Sequence, residues 1–186
     1  MQEAMLITET GDVPADEPEP SGRSGEHVVV ASVDDPRRLM SSSALEWLQR
    51  RATEAAVFAG AAGEIRMRFV DDAEMASAHE RHCGVPGTTD VITFDLSASA
   101  DALDVDLLLC VDEAKRQSAR RTIPLEQELL LYFVHGMLHC MGHDDRDEMS
   151  SRSMHAREDE ILAAIGVGAT YDRPTTTDGA GSPPER

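Results

Sequence analysis

The sequence predicts an α+β domain in which helices pack on a small mixed β-sheet of about four strands. Short apolar or alternating runs, typical of strands, are interspersed with longer stripes at helical spacing. Their order is strand, helix, strand, helix, strand, strand and then three helices, which indicates one sheet covered by helices. Hydrophobic residues make up 41% of the 186-residue chain, enough for one core.

The first half of the predicted domain alternates strands and helices. The Val-rich stretch 27–33 is predicted as a strand. Residues 41–59 begin with Ser caps and carry an apolar stripe, which is typical of a helix. Residues 64–70 alternate Ile, Met and Phe with polar residues, as a half-buried strand does. A short helix opens at Asp71, where acids suit the N-terminal dipole, and Gly84 breaks it.

The second half of the domain has two strands and three helices. Residues 89–96 are a strand candidate, and the apolar run 105–111 indicates an interior strand. A helix over 112–121 follows. Pro124 suits the first turn of the next helix, which carries the histidines described below. An amphipathic helix over 147–165 closes the domain.

The two ends of the chain differ in composition from this domain. Residues 1–26 are acidic, contain three prolines and hold few apolar residues, so we predict a disordered N-terminal extension. Residues 169–186 are predicted to be a disordered C-terminal tail on the same grounds. The folded domain is therefore expected to span 27–168.

The overall charge restricts the classes of partner. A net charge of −18 argues against tight non-specific binding of nucleic acid, although the cluster Lys115, Arg116, Arg120 and Arg121 is basic. Such a cluster either holds a nucleic-acid backbone or is simply a solvated helix face. No apolar run approaches the roughly 20 residues of a membrane span. Three cysteines without framework spacing predict reduced thiols in a cytoplasmic protein.

The most informative stretch is 135–145, His-Gly-Met-Leu-His-Cys-Met-Gly-His-Asp-Asp. His135 and His139 are four residues apart and therefore lie on one face of a helix. Gly142 can end that helix in a left-handed cap and return the chain. A third donor then comes from residues 143–145. Two helical imidazoles with one returning donor predict a catalytic site for one zinc ion with an open position.

The third donor and the catalytic base separate the possible chemistries. Asp145 is six residues past His139, the spacing of metzincin-type sites, and is favoured over His143 as the third ligand. The predicted catalytic group is then a zinc-bound water at these donors. In zinc peptidases a Glu general base directly follows the first His. Here that position is Gly136, which argues against a peptidase.

These residues resemble the YbeY family of bacterial endoribonucleases, whose pattern is His-Gly-x-Leu-His-x-x-Gly-Tyr-Asp-His. Residues 89–94, Thr-Asp-Val-Ile-Thr-Phe, resemble the family's Thr-Asp-Val-Leu-Ser-Phe strand. Residues 106–110 and the helix after them are similar to its Gly-Asp-Ile-x-Ile-Ser segment. Residues 158–166 are similar to its closing helix. The resemblance covers roughly 60–166, in order along the chain.

The resemblance implies a zinc-dependent endoribonuclease specific for single strands. It implies action in maturation of the 16S ribosomal RNA 3′ end and in ribosome quality control, in the cytoplasm. The implied partners are precursor 16S RNA and the small ribosomal subunit with its associated proteins. Carried over by position, the zinc ligands are His135, His139 and Asp145.

Two positions depart from the family pattern. The family's third ligand is usually His, where this chain has Asp145; His143, which stands at the family's Tyr, is the alternative ligand. The family also has a functional Arg six residues before Thr89, where this chain has Cys83. Arg81, two residues away, is the candidate substitute for a catalytic Arg, since Arg contacts phosphate bidentately.

Two other functions compete with the ribonuclease. The first is a metzincin-type zinc peptidase, although this chain has Gly136 where such a peptidase has its Glu general base. The second is a non-catalytic ribosome-associated assembly factor in which the metal site only holds the fold. Low basic charge and the missing Arg favour the assembly factor.

Overall fold

A computed structural model describes residues 5–8, 29–99, 101–168 and 170. Its elements in chain order are β1 (Met5–Thr8), β2 (Val29–Asp34), α1 (Ser42–Ala59), β3 (Gly63–Val70), α2 (Asp72–Cys83), β4 (Val91–Asp95), β5 (Leu103–Cys110), α3 (Val111–Arg121), α4 (Leu125–Cys140) and α5 (Glu148–Ala164). From β2 onward this is the order that the sequence predicts. The α+β fold class is therefore confirmed.

The sheet is mixed, with strand order β1-β4-β5-β3-β2. β2, β3 and β5 run parallel, β4 pairs antiparallel with β5, and β1 pairs parallel with the outer edge of β4. Four strands come from the predicted domain, and β1 is a fifth.

β1 lies inside the stretch predicted to be disordered. That prediction is wrong for residues 5–8, because Met-Leu-Ile-Thr is apolar and strand-prone and pairs with the edge of β4. The remainder of the predicted N-terminal extension, and all of the predicted tail except Thr170, lies outside the described residues.

Helices cover the two faces of the sheet unequally. Alternate side chains of β3 and β5 join the main core with α1 and α4; they are Ile65, Met67, Phe69, Val105, Leu107 and Leu109. On the other face, Met75 of α2 packs in a smaller cluster with Val70, Ile92 and Cys110. Since strand neighbours point to opposite faces, α2 and α4 lie on opposite sides of the sheet.

α4 is the central helix of the larger core. Residues 127–138 are buried all round, which is typical of a helix enclosed by other elements. α1, α3 and α5 all pack against it. Gly136 brings α4 close to the sheet: a Cβ built there would lie 2.9 Å from both Leu107 Cδ2 and Thr93 Oγ1. The absence of a side chain at this position thus sets the height of α4 above β4 and β5.

None of the helices in the described ranges is long and apolar enough to cross a membrane. The three cysteines, Cys83, Cys110 and Cys140, are free thiols.

Candidate metal centre

Three predicted donors converge at the C-terminal end of α4. The Nε2 atoms of His135 and His139 are 3.2 Å apart. Asp145 places its Oδ2 3.7 Å from the first of these atoms and its Oδ1 3.7 Å from the second. Among the described residues this is the one group of three or more His, Cys, Asp or Glu side chains close enough to share an ion.

A local chain reversal brings Asp145 back to the helix. Gly142 has a φ of 88°, in the left-handed region, and its N–H donates to the carbonyl of His139 at 3.0 Å. The next N–H, of His143, donates to the carbonyl of Leu138 at 3.0 Å. Asp144 Oδ1 then accepts the N–H of Asp145 at 2.9 Å. The turn predicted from the sequence therefore forms, and Asp144 organises it.

Both imidazoles are oriented through their far nitrogens. His139 Nδ1 lies 3.1 Å from the carbonyl oxygen of His143, and a carbonyl only accepts, so this nitrogen carries the proton. His135 Nδ1 lies 2.6 Å from Oε1 of the buried Glu158 on α5 and donates to it. Each ring in its neutral form is thereby left with its Nε2 lone pair directed at the shared point.

The donor spacing fits a small divalent ion. Zinc lies about 2.0–2.2 Å from nitrogen and oxygen ligands, so a tetrahedral arrangement separates its donors by about 3.3–3.6 Å. The two nitrogens, at 3.2 Å, already match. The carboxylate oxygens, at 3.7 Å, need an inward movement of a few tenths of an ångström. Two imidazoles and one carboxylate also suit the preferences of zinc.

The two histidines have opposite protonation tendencies. Burial by itself lowers the pKa of His135, but the hydrogen bond and charge of Glu158, together with the charges of Asp90 and Asp145, outweigh burial and raise the pKa overall. Burial, followed by the charge of His135, lowers the pKa of His139. In the metal-free protein the first proton therefore goes to His135, and a metal ion must displace that proton to bind.

A comparison with known protein families matches the region of the chain that carries the metal donors. The family described as Endoribonuclease YbeY matches residues 32–166. The chain belongs to the YbeY endoribonuclease family. The predicted resemblance is thus confirmed, and so, at the level of the family, is the prediction of a hydrolase that acts on RNA.

Individual relatives agree with the family match. An endoribonuclease YbeY of Gloeobacter violaceus is 34% identical over 157 residues, covering 79% of this chain and 77% of the relative. One of Oceanobacillus iheyensis is 31% identical and is covered over 95% of its length. The solution structure of TM1509 from Thermotoga maritima matches with a TM-score of 0.51 at 19% identity, covering 80% of this chain and 98% of that one. The last comparison shows the fold alone.

Within this YbeY-family chain, the other predicted site residues are not among the three donors. His143 contributes its backbone carbonyl to His139, and its ring is outside the donor group. Arg81 lies on α2, across the sheet from α4, and lines a cavity of about 430 Å³ with Arg37 and His82. The structure thus leaves Arg81 apart from the metal donors.

Gly136 does not face the donors. Its Cβ direction points at Leu107 and Thr93 of the sheet. A Glu at this position would enter the packed interface between α4 and the sheet. The position that carries the base in zinc peptidases therefore faces the sheet and has no free space for a side chain as large as Glu.

The basic cluster on α3 is largely neutralised by neighbouring acids. Lys115 Nζ donates to Asp112 at 3.0 Å. Arg116 forms a fork to Asp72 at 2.7 and 2.8 Å. Arg121 pairs with the buried Glu128 at 3.3 Å. These contacts favour the interpretation of the cluster as a solvated helix face over an RNA-binding strip.

The sequence did not predict that Glu158 contacts a metal donor. Glu158 stands in the inward stripe of α5 together with Met154, Ile161 and Leu162, all at 0% exposure. An acid inside an apolar stripe is a signal of a buried partner. The partner itself, 23 residues earlier, is visible only in the fold.

Proposed function

We propose that this protein is a metal-dependent endoribonuclease that cleaves single-stranded RNA. The observation that carries the proposal is the convergence of His135, His139 and Asp145, with both imidazoles oriented through Nδ1, in a member of an endoribonuclease family. We further propose that it acts in the cytoplasm on precursor 16S RNA, at the 3′ end, and in ribosome quality control. Its partners would be the small ribosomal subunit and associated proteins.

The proposed cofactor is one zinc ion held by the three donors. When bound, such an ion acts as a Lewis acid toward a phosphoryl oxygen and increases the acidity of water. The chain orients both imidazoles before binding, which lowers the ordering cost of the site. Asp145 adds a negative charge that attracts the cation, and its side chain is about one-sixth exposed, so the site is reachable from solvent.

A cavity of about 530 Å³ adjoins the metal turn and offers a route for substrate. It lies between the C-terminal end of α4, residues 140–142, and the connection between β4 and β5. Asp95 and Asp101 line it, so a polyanion entering there meets negative charge. We therefore expect RNA cleavage to require a divalent ion, and to increase as ionic strength rises from very low to moderate values and screens this repulsion.

Cleavage of a labelled single-stranded RNA by the purified full chain tests the proposal. Chelation should abolish cleavage, and added zinc should restore it. His139→Ala should reduce cleavage by at least a hundredfold, because it removes a donor. His82→Ala, a histidine on α2 across the sheet, is the matched control and should cleave as the parent does. Cleavage by His139→Ala at the parent rate after complete metal removal would contradict the metal mechanism.

The role of Arg81 is tested in the same assay. A contribution from Arg81 requires RNA to reach the α2 side of the sheet. Arg81→Ala should then lower cleavage and weaken its salt dependence, since a phosphate contact is lost. Parent-like cleavage and salt dependence would assign Arg81 no part in the reaction.

A non-catalytic assembly factor is the second candidate. Two observations favour the assembly factor. The basic side chains on α3 are paired with acids, and Cys83 stands where the family has its Arg. This function predicts that metal removal lowers the melting temperature, while the protein binds the small subunit without RNA turnover.

A further inference from the structure

We infer that Glu158 is a positioning residue that orients His135 and strengthens metal binding. The inference rests on the proposed metal site and adds to it a residue from outside the histidine motif. It follows from the burial of Glu158, from its contacts and from the charge balance at the donors.

Among the described residues, His135 is the one hydrogen-bond partner of the Glu158 side chain. The Glu158 side chain is 0% exposed, and Oε1 accepts from His135 Nδ1 at 2.6 Å. Oε2 is buried and has no hydrogen-bond partner among the described residues. The hydrogen bond at Oε1 fixes the rotation of the His135 ring. It also holds the proton on Nδ1, which leaves Nε2 as the metal-facing nitrogen.

Stability of the fold does not explain an acid at this position. A buried carboxylate loses several kcal/mol of hydration, and a buried pair of polar side chains is often no more stable than apolar residues of similar volume in place of both partners. Met154, Ile161 and Leu162 in the same stripe would pack well against an apolar residue. The carboxylate is therefore best explained by what it does to His135.

The two imidazoles are supported unequally. His139 is backed by a neutral carbonyl, whereas His135 is backed by a carboxylate, which makes its Nε2 the more basic donor. Asp145 and Glu158 together carry two negative charges when ionised. Two carboxylates beside two neutral imidazoles favour a divalent cation at the shared point. Loss of the Glu158 charge should therefore weaken cation binding even if the fold is intact.

The experiment measures zinc and cobalt affinity of the full chain by competition with a chromophoric chelator. Glu158→Gln retains the shape and an acceptor for Nδ1–H but removes the charge. It should bind zinc about 10–100-fold more weakly. The visible absorption of the cobalt form should shift, because the basicity of a donor has changed. Glu160→Gln, an exposed acid two residues along α5, is the matched control and should retain parent affinity.

The melting temperature of the metal-free protein separates positioning from structural support. At a pH above the folded pKa of His135, Glu158→Gln, which keeps an acceptor for Nδ1–H, should melt near the parent temperature without metal and gain less than the parent from added zinc. Zinc affinity within twofold of the parent in Glu158→Gln, with affinity lost in His139→Ala, would overturn the inference but leave the metal site standing. Absence of zinc binding by the parent would instead overturn the proposed function.

Discussion

Substituting Gly136 by Ala tests whether the close approach of α4 to the sheet governs both stability and the metal site. The new methyl group would lie 2.9 Å from Leu107 Cδ2 and from Thr93 Oγ1, against a normal contact of about 3.5–4.0 Å. Both neighbours are at 0% exposure, so neither can move into solvent. Overpacking of this kind costs about 1–3 kcal/mol. Ala gains about 1 kcal/mol over Gly in helix propensity.

The net expectation is a loss of about 1 kcal/mol in the free energy of unfolding, or about 2–4 °C in melting temperature for a domain of this size. Urea unfolding of the metal-free protein measures it. Zinc affinity should also fall, because lifting α4 moves His135 away from Glu158. Leu107→Val removes the Cδ2 atom, so Gly136→Ala should cost at least about 0.5 kcal/mol less in that background.

A rise of ~1 kcal/mol in the free energy of unfolding of Gly136→Ala, as helix propensity alone predicts, would contradict a strained contact. An equal cost of the substitution with Leu107 and with Val at position 107 would contradict it as well. Either result would mean that the sheet accommodates a methyl group at this position without strain.

Three further predictions concern the donors and thiols. Asp145→Asn should weaken zinc binding at least tenfold in a chelator competition, whereas His143→Ala should stay within twofold, because only its backbone carbonyl is used. The pKa of His135 is higher in the folded protein than in the unfolded chain, so protonation of His135 stabilises the metal-free fold. This stabilisation is complete below the ordinary histidine pKa of about 6.5 and is lost as the pH rises through the higher pKa of the folded state. Melting temperatures measured over a pH series check it. Burial raises the pKa of both Cys110 and Cys140 to about 12, so a thiol reagent at pH 8 should label them far more slowly in native than in unfolded protein.

The features that the sequence predicts correctly are those set by local geometry. The spacing of His135 and His139 places both on one face of a helix whatever that helix packs against. Gly142 permits the left-handed turn, and three residues later Asp145 is back beside the helix. The alternation of β3 and the apolar run of β5 likewise follow from the strand period of two.

The features that the sequence did not predict depend on which segments meet. Strand pairing added β1 to the sheet, because the edge of β4 accepts a short apolar segment that composition had assigned to a disordered extension. Arg81 is close in sequence to the position of the family's Arg, but α2 packs on the sheet face opposite α4. Nearness along the chain therefore did not bring Arg81 to the donors.

The sequence by itself determined the metal-binding motif, its turn and the family, because all three reside in the order and spacing of residues along one segment. Only the tertiary structure decided the surroundings of that motif. Packing of α5 against α4 put Glu158 behind His135, and packing of α4 on the sheet turned position 136 toward Leu107 and Thr93 and away from the donors. Burial then made these contacts effective, because a carboxylate enclosed with one imidazole acts on it far more strongly than it would in water.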